Sequence, residues 1–413
     1  MRVLWFEVTV PQNYSKHGFH GAGWQDALES IVNDFKDIEL GIAFESRDCS
    51  NKMQIINEVH YFPLCPHYNC IEKLKSKTSW ELSRNKLIPL SINVIEEFKP
   101  DVIHVFGSEW CFGQVTEFTD IPVVVHMQGS IPSYNNAFYP PSYNEWDEFI
   151  YSFTHFKWKN LFELPMAIKK QRTWKEQEEY TLSIVKNFMG RTEWDKAIVK
   201  LHKPDANYFH CNEALRPYFI NTELEWSPTT NQKLILTTIG CSSLWKGLDT
   251  IVRTARLLEE HKVNFEWCLV GNICYKELIE WKEKILIDDI NIRLLGMLDS
   301  EKLVNQLLCT DIYVHTAYID NSPNSICEAQ YLGLPIIATY VGGIPSLIEN
   351  GLEGVLVPAN DPYILTNEIM SLAIDRERQI KYSKNSRKRA IMRHNPKIIL
   401  KDLLNIYNNL LSN

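Results

Sequence analysis

The chain has 413 residues, more than one ordinary hydrophobic core serves, and this length predicts two or three domains. Its 45% hydrophobic and 23% charged content is that of a soluble globular protein, and its formal net charge of -8 argues against a broad nucleic-acid surface, which needs a positive field. No stretch approaches the roughly 18 uninterrupted apolar residues of a transmembrane helix.

The opening MRVLWFEVTV lacks the basic region and small-residue cleavage site of a signal peptide, and reads as the first strand of a fold. The ten cysteines are scattered without paired spacing and read as reduced thiols, from which a cytoplasmic protein is expected. Cys65-Pro-His67-Tyr-Asn-Cys70 has metal-like spacing, but no second ligand pair follows it, and no metal site is predicted.

Short apolar runs alternate with amphipathic stretches along the chain. Residues 2–10, 102–106 and 121–127 read as strands covered on both faces, with WQDALESIVNDF and LIPLSINVIEEF as helices between the first two. Residues 131–180 break this rhythm with aromatic residues, among them Tyr134, Phe138, Tyr139, Tyr143, Trp146, Tyr151, Phe156, Trp158 and Trp174, interleaved with Lys157, Lys159, Lys169, Lys170 and Arg172. Two readings stand for them: an added helical subdomain with an aromatic core, or an acceptor-binding or membrane-facing surface. Further strands are predicted at 233–240, 265–271, 292–296, 312–317 and 335–340, and a last amphipathic helix at 396–413. Repeated β-α-β units imply parallel sheets with right-handed crossovers. The predicted class is α/β, with doubly wound domains at 1–212 (including the 131–180 insertion) and 213–395, and a final helix packing back across them.

Three loops could carry chemistry. His17-Gly18-Phe19-His20-Gly21-Ala22-Gly23-Trp24 follows the first strand, and its glycines allow backbone to approach a ligand at a helix N-terminus. It reads equally well as a plain glycine turn. Gly240-Cys241-Ser242-Ser243-Leu244-Trp245-Lys246-Gly247 follows a later strand and offers N–H donors and an ammonium to a phosphate. The strongest is Asp320-Asn321-Ser322-Pro323-Asn324-Ser325-Ile326-Cys327-Glu328, followed by Gly333-Leu-Pro335. A helix starting near Pro323 would point its N–H groups at a diphosphate, with an acid on either side for hydroxyls.

With these residues, His126-Met-Gln128-Gly129 and Val341-Gly342-Gly343-Ile344-Pro345 in order, the chain resembles the retaining glycosyltransferases of family four (glycosyl transferases group 1), which have the GT-B fold. The resemblance implies two facing Rossmann-like domains and a nucleotide-diphosphate sugar as substrate, with no cofactor and no metal. Glu328 matches the acid on the ribose hydroxyls, and Asp320 the acid on the donor sugar. Lys246 matches the phosphate-binding lysine, and His126 the histidine beside the donor sugar. Gly21 and Gly23 match the loop over the phosphates. Ser242, Ser322 and the N–H groups of Asn324, Ser325 and Ile326 join the donor set. His126, Asp320 and Lys246 are expected to act on the reacting sugar and leaving phosphate. The family usually has Glu where Asp320 stands and Arg where Cys241 stands; Ser242, Ser243 or Arg191 are the expected substitutes for that Arg. The implied acceptor is a glycan or lipid-linked glycan in surface polysaccharide synthesis, with no nucleic-acid partner and a peripheral contact at the inner membrane face. Two alternatives remain open: a GT-B sugar-nucleotide epimerase, and a non-catalytic sugar-nucleotide-binding or scaffold protein.

Overall fold

A computed structural model describes residues 1–14, 23–46, 48, 53–76, 78–228 and 232–412. Two units divide the chain. The first comprises Met1–Pro132, Phe162–Ala214 and His394–Asn413; the second comprises Ser133–Leu161 and Leu215–Arg393.

In the first unit the described strands are β1 (Arg2–Glu7), β2 (Glu39–Glu45), β3 (Gln54–Ile56), β4 (Val59–Leu64), β5 (Val102–Phe106), β6 (Val123–His126), β7 (Asn187–Gly190) and β8 (Asn207–His210). They form one sheet in the order β3-β4-β2-β1-β5-β6-β7-β8. Every pairing is parallel except β3 with β4, a hairpin turned by Asn57 (φ 50°) and Glu58 (φ 68°). Positive φ at both central residues matches the right-handed twist of the strands. Side chains alternate across the sheet, so Leu4 and Phe6 of β1 enter one core while Val3 and Trp5 enter the other.

The second unit holds β9 (Leu234–Ile239), β10 (Phe265–Val270), β11 (Ile292–Gly296), β12 (Ile312–His315), β13 (Ile336–Thr339) and β14 (Val355–Val357). Their order is β11-β10-β9-β12-β13-β14, all parallel. Numbered within the unit, this is the order 3-2-1-4-5-6 of the dinucleotide-binding sheet. Its two faces carry separate cores, one with Leu236, Trp267 and Val314, the other with Val270, Tyr313 and Ile336. In each sheet the winding reverses beside the first strand, between β1 and β5 and between β9 and β12. Loops at the carboxyl ends of such strand pairs diverge and leave room for a ligand.

The predicted strands at 102–106 and 292–296 match β5 and β11, and the other six sit within their predicted ranges. Of the strands that went unpredicted, β3 and β14 have three residues, β4 contains Pro63 and β8 is a half-exposed edge, whereas β2 is seven residues long and largely buried and was missed all the same.

The domain boundaries change at the aromatic insertion. The predicted first domain, 1–212, includes all of 131–180, whereas 133–161 belongs to the second unit. The cause is side-chain packing. Tyr143 and Tyr151 are buried in the second unit's core, and their hydroxyls donate to Glu283 and Glu277 at 2.8 Å. Tyr134 and Phe138 lie against Trp245 of the lysine loop, with ring centroids 5.9 and 5.5 Å apart.

The final helix, Pro396–Ser412, belongs to the first unit, where Ile399, Leu403 and Tyr407 are fully buried beneath the sheet. Leu403→Ala should remove about 2–5 kcal/mol of stability in chemical denaturation, because the cavity left under β1 and β5 cannot close fully. A loss below about 0.5 kcal/mol, the usual range for surface positions, would mean that the helix does not brace this core.

Candidate functional site

The second unit's site is built where β9 and β12 end. After β9 the chain passes Gly240, makes a 3-10 turn over Leu244–Lys246, and enters the helix Leu248–Glu260 through Gly247. Gly247 has φ +78°, and a Cβ there would lie 2.1 Å from the Thr316 carbonyl oxygen, so only glycine fits. The same segment fastens the loop. Thr316 Oγ1 donates to the Lys246 carbonyl at 3.0 Å, and the Tyr318 N–H donates to the Trp245 carbonyl at 2.7 Å.

Lys246 thereby reaches Asp320, with Nζ 2.7 Å from Oδ2. His315 Nε2 lies 3.1 Å from the same oxygen, and the Asn321 N–H donates to Oδ1 at 3.1 Å. Burial by itself would raise the Asp320 carboxyl; the Lys246 ammonium and the His315 contact outweigh it and hold the group below the usual carboxylate range. Two of the three ammonium hydrogens of Lys246 remain for another anion. The Asp320 carbonyl accepts the Gly343 N–H at 2.9 Å, which draws in the turn after β13.

Pro323 caps the helix Asn324–Leu332, and Gly333 (φ +83°) ends it. The first N–H groups of this helix have no intrahelical acceptor and carry the positive end of its dipole. Of the three proposed from sequence, that of Ile326 already donates to the Pro323 carbonyl at 3.0 Å, so Asn324 and Ser325 present the open end. One turn further, Glu328 is buried and meets Arg216, whose Nη2 and Nε lie 2.7 and 2.8 Å from Oε1. Burial raises the Glu328 carboxyl while the guanidinium lowers it, and the net is a raised value. Both nitrogens converge on one oxygen, leaving Oε2 for a second partner. Ser242 is exposed beside the lysine turn, and Ser322 is buried beside Pro323.

Cys241 faces inward, 1% exposed, in the apolar core with Leu244 and Leu248. Burial pushes its thiol up to about 12. It cannot do the electrostatic work of an arginine. Arg191 is buried in the first unit, where Nη2 donates to the Met127 carbonyl at 3.3 Å and the guanidinium lies over Trp24.

In the first unit His126 ends β6 and is fully buried. Its ring packs edge-on against Trp24 and stacks beside Phe106 and His104. Nδ1 lies 3.3 Å from His104 Nε2, while among the described residues Nε2 has no hydrogen-bond partner. Burial, with His104 and Arg191 nearby, keeps this imidazole well below its usual pKa and neutral. Gly23 opens the helix Gly23–Asn33; Gly21 and the rest of the glycine loop before it lie outside the described residues. Cys65 and Cys70 are apart in role: Cys65 donates to the Ser46 carbonyl, and Cys70 starts the helix Cys70–Lys75. With His67 they do not converge as a ligand set among the described residues.

Sequence reasoning missed four partners. Arg216 and His315 carry no local pattern that marks them. His104 sits inside the apolar strand VIHVF, where an ionisable side chain was itself a signal. Glu178 accepts from Ser108 Oγ and the Ile131 N–H, both at 2.5 Å, and burial pushes it up to about 8.

Residues 221–389 match the family model described as Glycosyl transferases group 1, so this stretch is a domain of that family. The chain is 23% identical over 189 residues to the amylovoran biosynthesis glycosyltransferase AmsK of Erwinia amylovora, covering 44% of this chain and 45% of that relative. It therefore spans less than half of that protein's length. Among solved structures, a sucrose-phosphate synthase from Thermosynechococcus elongatus superposes with a TM-score of 0.73 at 15% identity, covering 100% of this chain and 99% of that one. Anabaena HepE in complex with UDP and glucose superposes with a TM-score of 0.65 at 14% identity, covering 99% of this chain and 100% of that one. The fold is GT-B, with two Rossmann-like parallel-sheet units.

Gly342 offers a local test of the loop geometry. It has φ +51°, and a Cβ would lie 1.9 Å from the Asp320 carbonyl oxygen. Gly351 (φ +77°) has nothing within 4 Å of such a Cβ. Gly351→Ala should cost about 1 kcal/mol for the left-handed backbone alone. Gly342→Ala should cost at least about 1–3 kcal/mol more in the same denaturation measurement, through strain at the Asp320 turn. Equal costs would show that the turn gives way freely.

Proposed function

We propose that this chain, whose residues 221–389 are a group 1 glycosyl transferase domain, transfers a sugar with retention from a nucleotide-diphosphate sugar to a glycan or lipid-linked acceptor in surface polysaccharide synthesis. The observation that carries the reading is the meeting of Lys246, Asp320 and the open N-terminus of Asn324–Leu332 at the carboxyl ends of β9 and β12. As the sugar–phosphate bond breaks, charge grows on the leaving diphosphate. The spare Lys246 hydrogens and the N–H groups of Asn324 and Ser325, with Ser242 and Ser322 beside them, are preorganised to accept that charge. Positive charge from the chain itself suits a metal-independent reaction. Glu328, held by Arg216 on Oε1, has Oε2 for the ribose hydroxyls.

Asp320 acts first on Lys246, which it aims, and its Oδ1 retains acceptor capacity for a sugar hydroxyl. His126 is assigned to position the donor sugar, and Gly21 and Gly23 to cover the phosphates. Retention is assigned on the resemblance. HepE holding UDP and glucose, and the amylovoran role in the name of AmsK, support a UDP-linked donor and a polysaccharide product.

The same reading gives the chain a peripheral membrane contact. Trp146, Phe149, Phe153, Phe156 and Trp158 form a continuous set of exposed rings in the second unit, with Trp146 70% and Phe156 75% exposed. Amphipathic aromatic rings suit the headgroup boundary of a bilayer, and Lys159 is exposed at their edge. No helix among the described residues is long and apolar enough to cross a membrane.

A thermal-shift screen against UDP-, GDP-, ADP- and dTDP-sugars should raise the melting temperature with one nucleotide family, since a ligand at a hundred times its Kd stabilises by about 2.7 kcal/mol. Lys246→Ala and Glu328→Gln should each weaken donor binding or transfer by about tenfold or more. Wild-type kinetics in both variants would overturn the site, and no shift with any donor would favour the non-catalytic alternative. Vesicles containing anionic lipid should co-sediment the chain at low salt and release a Trp146→Ser, Phe156→Ser, Trp158→Ser triple variant. Absence of wild-type binding would remove the membrane contact.

A further inference from the structure

A chain of buried polar contacts runs through the first unit from the C-terminal helix to His126. Trp5 Nε1 lies 3.1 Å from the Tyr407 hydroxyl oxygen, which lies 2.7 Å from His104 Nδ1. His104 Nε2 in turn lies 3.3 Å from His126 Nδ1. All four side chains are fully buried. Burial lowers the His104 imidazole to about 3, and His126 is lowered too, so each ring carries one hydrogen.

The direction of the chain follows from what each atom can do. An indole N–H only donates, so the Tyr407 oxygen accepts from Trp5. Among the described residues, the hydroxyl hydrogen of Tyr407 then has one acceptor in reach, His104 Nδ1. His104 must therefore carry its hydrogen on Nε2 and donate to His126 Nδ1. That leaves the His126 hydrogen on Nε2. The reverse direction would strand the tyrosine hydrogen as well as the far nitrogen of His126, two unsatisfied buried groups instead of one. The nearby Arg191 and Glu213 face each other at 3.9 Å, and neither bonds to Nε2.

We propose that Tyr407 is a positioning residue: through His104 it sets His126 as the Nε2–H tautomer, which presents an N–H donor to an oxygen of the donor sugar. The sugar contact rests on the function proposed above; the tautomer does not. An N–H left unpaired in a dry site is costly, and a ligand oxygen would satisfy it. A neutral donor of this kind orients a hydroxyl without adding charge beside an oxocarbenium-like sugar.

The test uses the full chain with 15N-labelled histidine and long-range 1H–15N correlation, with His104→Asn and His126→Asn to assign the rings. Wild type should show both histidines with protonated Nε2 and bare Nδ1. Tyr407→Phe should abolish or mix that pattern at both rings, whereas Trp5→Phe, which keeps the hydroxyl, should preserve it. Protonated Nδ1 on His126 in wild type would overturn the relay, even if no variant folds. So would an unchanged pattern in Tyr407→Phe. In parallel, Tyr407→Phe should lower kcat/KM for the sugar donor by about tenfold while binding of the bare nucleoside diphosphate stays unchanged. A lost tautomer with unchanged transfer would keep the relay and reject the sugar contact.

Discussion

Placing the Asp320 carboxylate out of water costs free energy, and the second unit is arranged around returning that cost. One oxygen takes the Lys246 ammonium and His315, the other takes the Asn321 N–H, and the backbone carbonyl takes Gly343. These contacts join the turns after β9, β12 and β13. Gly247 and Gly342 follow from them, because both backbones pass too close to a carbonyl oxygen for any side chain. A buried ion pair of this kind adds little net stability, since desolvation offsets attraction. Its value is geometric: it aims a cation beside a helix N-terminus.

Glu328 shows the same logic with a different partner. A carboxylate on the buried face of a helix needs a fixed cation, and Arg216 supplies it from the segment just after the chain re-enters the second unit. The planar guanidinium concentrates on one oxygen, so the other keeps its capacity. In the first unit the answer is neutral. Two histidines, a tyrosine and an indole satisfy one another in line, and of these four side chains His126 keeps the one ring nitrogen without a hydrogen-bond partner among the described residues.

If the loop after β9 takes a diphosphate as proposed, Cys241 alters its balance. An arginine there would bring a bidentate partner for phosphate; a buried thiol brings only packing. Positive charge then depends on Lys246 and the helix dipole. That concentrates the work on fewer groups and makes the Asp320–Lys246 geometry more exacting.

Much of this was readable from one chain of letters. Apolar runs set the strands, since a parallel sheet covered on both faces must be continuous in apolar residues. The order of glycines, Lys246, Asp320, Pro323 and Glu328 marked the turns and the helix start that meet after β9 and β12, because turn and cap chemistry is local. Local patterns end there. The split of 131–180 turned on which core received Tyr143 and Tyr151, and the partners Arg216, His315, His104 and Tyr407 come from distant segments. Contacts such as Trp5 with Tyr407, some 402 positions apart, arise only when the chain folds back on itself. The sequence by itself determined the element types and the residues at the strand ends, through backbone rules that act over a few residues. The tertiary structure alone decided which charges are paired and which nitrogen stays unpaired, because burial and hydrogen bonding depend on neighbours that sequence order does not specify.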